Sequence, residues 1–595
     1  MAQNHKFIDI VHQLGEKGYP LVDVYRRIQD RELFLAAYGK LYANQGATTQ
    51  GTDPNDTVEG MSVARIDTII EKLHNGNYVW KPAKRVYIPK SNGSMRPLGI
   101  PSWSDKLLQE VIRMVLEAYY EPQFSDYSHG FRPNRGCHTA LIQIRQSWKG
   151  TKWFIEGDIK GCFDNISHQV LLSILSRNIK DKRLLKLIRQ MLKAGYMEDW
   201  KYHQTYSGTP QGGVVSPILA NIVLNELDNF VSTKLLPKYN VGKRKAANPE
   251  YRRISKDIAK ARREGNEDEV KRLMLKRREI PSKVHNDPNY RRLRYNRYAD
   301  DFILGFDGPR HEACEIKEEI KVFSSTISLS LSEEKTLITH ATTKAARYLG
   351  YEIRIARDNN MLTDGKRRLN MYPQLKVPAD VANEWRKKYT KNGKPTARYE
   401  LLQCSDIEIV MTYGLELQGV VNYYRLAYNV SNAFYPVKSV FIQSAAMTIA
   451  AKHQKKVSWV IKKYLRKSEY GLTALIVKEQ NPNNPEKPYM AKLGDKPIRT
   501  NLNVEITDQI KQFYSGRNEL VRRLLANECE LCGSCDRIRV HHVRKLADVK
   551  KRYKGRKNPP PWVKFMMERN RKTVVVCHKC HIDIHAGRYD GKKVK

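Results

Sequence analysis

The sequence predicts a multidomain α+β protein ending in a small zinc-stapled unit, and three observations carry that prediction. The chain's 595 residues amount to about four domains at roughly 150 residues each. Strand-like and helical segments alternate up to residue 350, and a nearly all-helical signal follows from 375 to 480. Five of the nine cysteines, Cys529, Cys532, Cys535, Cys577 and Cys580, crowd the last 67 positions. They form CxxC pairs mixed with histidines, a pattern of metal binding rather than of disulfides. Cys137, Cys162, Cys314 and Cys404 are scattered and read as inert core thiols.

Charge narrows the partner. Lys and Arg total 105 against 63 Asp and Glu, a net of +42. A surface that basic repels itself unless a polyanion neutralises it, and the commonest large polyanion is nucleic acid. With 41% hydrophobic and 9% aromatic residues there is material for real cores, which excludes wholesale disorder. No run approaches the roughly 18 to 20 apolar residues of a membrane span, and MAQNHKFIDIVHQLGEKG lacks the features of a signal peptide. No membrane partner is expected, and the cytoplasm is the expected compartment.

Residues 1–83 read as helices and loops, interrupted near 45–60 by NQGATTQGTDPNDTVEG. Strand text begins at Lys84 and runs through Ile88, Pro89 and Lys90 to a Ser-Asn-Gly-Ser turn. Lys90 and Arg96 thus flank a turn as cations suited to grip a triphosphate. Asp105 to Tyr120 is a helix, because Leu107, Leu108, Val111, Ile112 and Val115 recur at helical steps. Residues 241–294 carry 18 Lys/Arg against 8 Asp/Glu among strong helix formers, a helical insertion read as a phosphate-backbone contact. Val437, Val440, Phe441, Ala445, Thr448 and Ile449 form one helical stripe, and Pro/Gly-rich text at 480–500 reads as a linker or exposed loop.

Two passages place carboxylates at strand ends. KWFIEGDI delivers Asp158, and RYADDFILGF sets Asp300 and Asp301 between a mixed and a strongly apolar strand. Apolar text on both sides implies a buried hairpin with acid at its tip. Like charges so close raise a pKa or require a cation between them, and Mg²⁺ takes carboxylates together with substrate phosphates. Two such ions suit phosphoryl transfer. Between the passages, SGTPQGGVVSP opens an apolar helix, its glycines allowing close backbone approach to a ligand.

The ordered set RPLGIPSWSDKLLQ, HGFRPNRGCHTAL, EGDIKGCFDNI, GTPQGGVVSPILANI, YADD, LSEEKTLITH and RYLGYEIR resembles a reverse transcriptase, and within that class the group II intron-encoded proteins. The resemblance implies right-hand-like fingers and palm over 84–365, with the basic insertion at 241–294, and an α-helical thumb or maturase domain over 366–480. It makes Asp158 and Asp300 the principal ligands of two Mg²⁺ ions, with Asp301 secondary. Phe163 becomes the gate against a ribose 2′-hydroxyl. Gln211 would touch the nascent pair, Lys90 and Arg96 would hold the triphosphate, and Lys335 would approach the pyrophosphate. Arg132 and Arg135, in a loop-like segment, are read as contacts to template or nucleotide.

At the carboxyl end, Cys529, Cys532, Cys577 and Cys580 suit one structural Zn²⁺, though Cys535 leaves the first knuckle ambiguous. His541-His542 on a strand, with His581 and His585 one turn apart on a helix, resemble an HNH nuclease, a ββα-metal unit over 526–595. The match makes His542 the general base, and it makes His541, His581 and His585 the ligands of a divalent ion. The orienting Asn would be Asn570, slightly early in the sequence. A zinc knuckle that binds DNA without cutting is the other reading of this unit.

The resemblance as a whole implies a protein that binds group II intron RNA, assists splicing, nicks target DNA and copies the intron from dNTPs, as a bacterial cytoplasmic ribonucleoprotein. Residues 1–83 would be an RNA-binding extension and 481–525 a DNA-binding linker. A splicing-only maturase without active polymerase or nuclease is the alternative; the intact YADD, Asp158 and GTPQGG text opposes it.

Overall fold

The computed structural model describes residues 3–587 except 45, 90–92, 94, 199–200, 204, 206–207, 209–212, 358–369, 481–487, 503–518, 544–548, 550–559 and 569–571. The sheet carrying the acidic residues has four antiparallel strands, in the order Arg292–Tyr298, Asp301–Asp307, Trp153–Asp158, Ile338–His340. Strand side chains alternate between faces. Ile155, Phe302 and Leu304 therefore join one core with the helices Ser216–Phe230 and Arg310–Thr326, while Phe154 and Ile303 join another with the carboxyl-terminal helices. Both faces are covered, which explains the apolar run FILGF. At Gly157 the ring of Phe302 crosses the neighbouring strand, and a Cβ there would lie 2.1 Å from it.

A second sheet runs Met95–Ile100, Ala83–Pro89, Tyr196–Glu198, Lys201–His203, with Ile88 opposite Arg96. The helix expected from Asp105 starts slightly earlier, at Trp103–Tyr120, where Ser102 Oγ donates to Asp105 Oδ2 at 2.7 Å. The basic insertion is a helical hairpin, Pro249–Arg263 and Glu267–Glu279, around Ile254, Ile258 and Leu273. Glu267, Asp268 and Glu269 open its second helix, and Lys276, Arg277 and Arg278 close it, in accord with the helix dipole.

From 379 on, the helices are Ala379–Lys388, Asp406–Tyr423, Val430–His453 and Val457–Tyr464. The stripe from Val437 to Ile449 is buried as expected, with Val440 partly so. The helical signal read up to 480 ends at Tyr464. Leu465–Lys467, Thr473–Glu479 and Tyr489–Leu493 form a three-stranded sheet, so part of the text read as loop is a strand. TALIVKE fits a sheet because Ala474, Leu475 and Val477 are buried while Thr473 and Lys478 are exposed. Tyr413 and Tyr424 lie in the core. Lys452 Nζ and His453 Nε2 meet Asp406 Oδ1 at 2.6 and 2.8 Å, tying two helices together.

The last unit is a two-stranded sheet, Arg539–His542 with Thr573–Val576, followed by the helix His578–His585. Its core continues that of the chain's first residues: Val11, Phe34, Trp103, Val540, Val574 and Ile584 share one buried cluster. Met61 forms an antiparallel bridge with Val540.

Candidate active sites

The hairpin register brings Asp301 opposite Asp158 and Tyr298, so all three carboxylates meet at one sheet end. Ile159 N–H donates to Asp300 O at 3.3 Å. Burial, then the Asp158 and Asp300 charges, push Asp301 up to about 7. Asp300 is raised by burial too, while the Arg96 and Lys335 cations oppose this. Lys335 Nζ donates to Asp158 Oδ2 at 2.8 Å, and that bond raises the ammonium's own pKa. Three carboxylates with mixed burial and adjacent cations are a donor set for hard divalent ions and a phosphate chain. Phe163, on the short helix Cys162–Asn165, sets its ring against the ring of Phe131, centroids 6.2 Å apart. Lys90 and Gln211 lie outside the described residues.

Arg297 supports the turn, a role the sequence reading missed. It is fully buried with Asp228 and pairs with it through Nε at 2.8 Å and Nη2 at 2.6 Å. It also donates to Ser128 Oγ, Asn221 Oδ1 and Ala299 O, so all five guanidinium donors are used. Ala299, within the acidic turn, has φ of 55°, and Arg297 holds its carbonyl. Asn221 Nδ2 in turn binds Gly130 O at 2.8 Å; a Cβ on Gly130 would lie 2.3 Å from the nitrogen of Ala299. Asn221 and Asp228 stand seven residues apart on one helix face, the only signal that could have found this network.

Arg132 departs from the expected template contact. Arg132 is buried and donates to Glu121 Oε1 at 2.8 Å and to the Ser125 and Ser128 carbonyls. Arg135 pairs with Asp126. A buried guanidinium must have its donors met internally, and Arg132 holds a loop instead.

In the last unit the sulfurs of Cys529, Cys532, Cys577 and Cys580 lie within 4.8 Å of one another, Cys535 standing outside, exposed. Burial and the neighbouring sulfurs push the Cys580 thiol far up; thiols gathered this way fit a cation that takes their thiolates. His541, His581 and His585 form a second cluster, joined by Glu59 from the chain's beginning. Nothing in the sequence marks Glu59, which falls in a segment read only as a break. Burial lowers His542 to about 4, so its imidazole is neutral at neutral pH, as a base must be. Its Nε2 lies 3.1 Å from Tyr38 Oη. Asn570 lies outside the described residues.

Comparison with known proteins agrees with this arrangement. The reverse transcriptase (RNA-dependent DNA polymerase) family matches residues 88–353, the type II intron maturase family 379–509, and the AI2M/AI1M-like HNH endonuclease family 529–581. The group II intron-encoded protein LtrA of Lactococcus lactis subsp. cremoris is 39% identical, over 94% of each chain. The uncharacterized 91 kDa protein in the cob intron of Schizosaccharomyces pombe is 34% identical over 96% of this chain and 71% of its own length. The putative COX1/OXI3 intron 1 protein of Saccharomyces cerevisiae is 32% identical over 94% and 68%.

Proposed function

The chain belongs to the group II intron-encoded proteins, and from that premise we propose how its residues divide the work of splicing, nicking and copying. It is an RNA-directed DNA polymerase with a DNA endonuclease at its carboxyl end. In our reading, intron RNA is bound through the amino-terminal extension, the hairpin 249–279 and the thumb, and target DNA is nicked and then primes synthesis from dNTPs. This takes place in the bacterial cytoplasm as a ribonucleoprotein.

Asp158 and Asp300, with Asp301 beside them, would hold two Mg²⁺ ions, which when bound stabilise charge on the attacking and leaving oxygens. Lys335, already on Asp158 Oδ2, neutralises the departing pyrophosphate, and Arg96 draws the triphosphate to Asp300. Phe163, braced by Phe131, rejects a 2′-hydroxyl by bulk. The four clustered cysteines would hold Zn²⁺ and staple a unit too small for a large core. His541, His581 and His585 would hold a divalent ion, with His542 taking the proton from the attacking water. The observation that carries the polymerase reading is the register pairing of Asp158 with Asp301.

Primer extension on an RNA template and nicking of a duplex target, measured side by side, test the division. Asp300→Ala is expected to lower extension by about 10³-fold or more, since a bound metal is worth several kcal/mol. His542→Ala is expected to abolish nicking and leave extension from a pre-nicked target intact. Equal loss of both activities in His542→Ala would mean that the unit is structural.

A further inference from the structure

We propose that Glu59, from the amino-terminal extension, is a fourth protein ligand of the divalent ion at His541, His581 and His585, and that it occupies the place a target-strand phosphodiester must take. The proposal rests on the nuclease reading above. Glu59 Oε1 lies 2.8 Å from His541 Nδ1, 2.6 Å from His581 Nε2 and 3.2 Å from His585 Nε2. The four donor atoms fall within 4.8 Å of one another. Three imidazoles and a carboxylate would give the ion four protein ligands, whereas a hydrolytic zinc site keeps a position open for water or substrate.

The other carboxylate oxygen shows which substrate group Glu59 imitates. Oε2 accepts the backbone N–H of His542 at 2.8 Å and stands 3.9 Å from His542 Nδ1. That nitrogen is buried and has no hydrogen-bond partner among the described residues, and a buried polar atom is seldom left so without use. One oxygen thus sits among the metal donors while its twin faces the base. A phosphodiester bridging the ion and the attacking water presents the same pair of oxygens.

The placement is built into the fold. Gly60 N–H donates to Val540 O at 3.1 Å, and Val540 N–H donates to Met61 O at 2.9 Å. The residues after Glu59 therefore pair with the strand bearing His541 and His542, and Tyr38 closes on the opposite nitrogen of His542. Glu59 therefore stands where the phosphate has to bind, between the metal donors and His542, so target DNA competes with it.

Co²⁺ titration of the zinc-loaded full chain tests this, read by the visible d–d absorption that four-coordinate cobalt gives strongly and a six-coordinate ion gives weakly. Glu59→Gln is expected to weaken Co²⁺ affinity about 10-fold or more and to diminish the band. At saturating Mn²⁺ the same variant is expected to nick duplex DNA several-fold faster than wild type, because phosphate no longer displaces a carboxylate. Glu59→Ala, which also removes the stem, should repeat both changes. His581→Ala separates the two layers: a band that survives it overturns the nuclease reading itself. If His581→Ala abolishes the band while Glu59→Gln leaves affinity and spectrum as in wild type, Glu59 is not a ligand. Slower nicking by Glu59→Gln at saturating metal would overturn the competition with phosphate.

Discussion

At the acidic turn, Asp301 titrates near 7 against about 3.9 for a free Asp side chain. A carboxyl raised in the folded state prefers its proton there. Its contribution to stability is complete below about pH 4 and is lost as pH rises through about 7. Metal-free protein should therefore melt lower at pH 8 than at pH 5 by at least about 2 °C from this cluster. Asp301→Asn should narrow the gap, and Mg²⁺ should restore much of the loss in wild type. Thermal melts at the two pH values in magnesium-free buffer measure this; an Asp301→Asn gap equal to that of wild type would show that Asp301 is not the raised carboxyl.

At the scale of the hairpin, the turn between Tyr298 and Asp301 is held from behind by Arg297 and Asp228. Removing one partner of a fully buried pair leaves an uncompensated charge, at a cost of about 3–5 kcal/mol, whereas replacing both with apolar groups costs much less. Chemical denaturation should accordingly rank Arg297→Met below wild type by that amount, with Arg297→Met/Asp228→Leu recovering part of it. Extension by the double variant should stay low, since the Ala299 carbonyl loses its donor. A double variant as unstable as the single would mean the pair is not coupled. The strands around Asp158 and Asp301 were legible because apolar text brackets the acidic tip, and the helix Trp103–Tyr120 because its apolar residues recur at helical steps. Thr473–Glu479 was not, because a short apolar run beside helical text has no period of its own. The Arg297 network was hidden because its members lie as much as 169 residues apart.

Over the whole molecule, the net charge of +42 makes phosphate the natural complement. The hairpin Pro249–Arg263/Glu267–Glu279 has its own small core, so it can be removed without opening the main one. Affinity for structured intron RNA should fall about 10³-fold or more between roughly 50 and 200 mM salt. Deleting 249–279 should flatten the log–log slope by about 2 or more while leaving extension on a short primer–template in place. Binding measured across that salt range decides it; an unchanged slope would mean the hairpin does not touch phosphate.

The sequence by itself determined the chemistry available: acidic strand ends, paired cysteines, a histidine pair and a large positive excess, all readable because each motif is local and its residue types have few other uses. Tertiary structure alone decided which motifs became neighbours. Antiparallel register, a property of two strands together, set Asp158 beside Asp301. A core shared between the first and last residues brought Tyr38 and Glu59 onto histidines more than 480 positions away. Contacts of that range arise from packing apolar surface that carries no address in the text, so a single unremarkable glutamate could become part of the nuclease without any local sign.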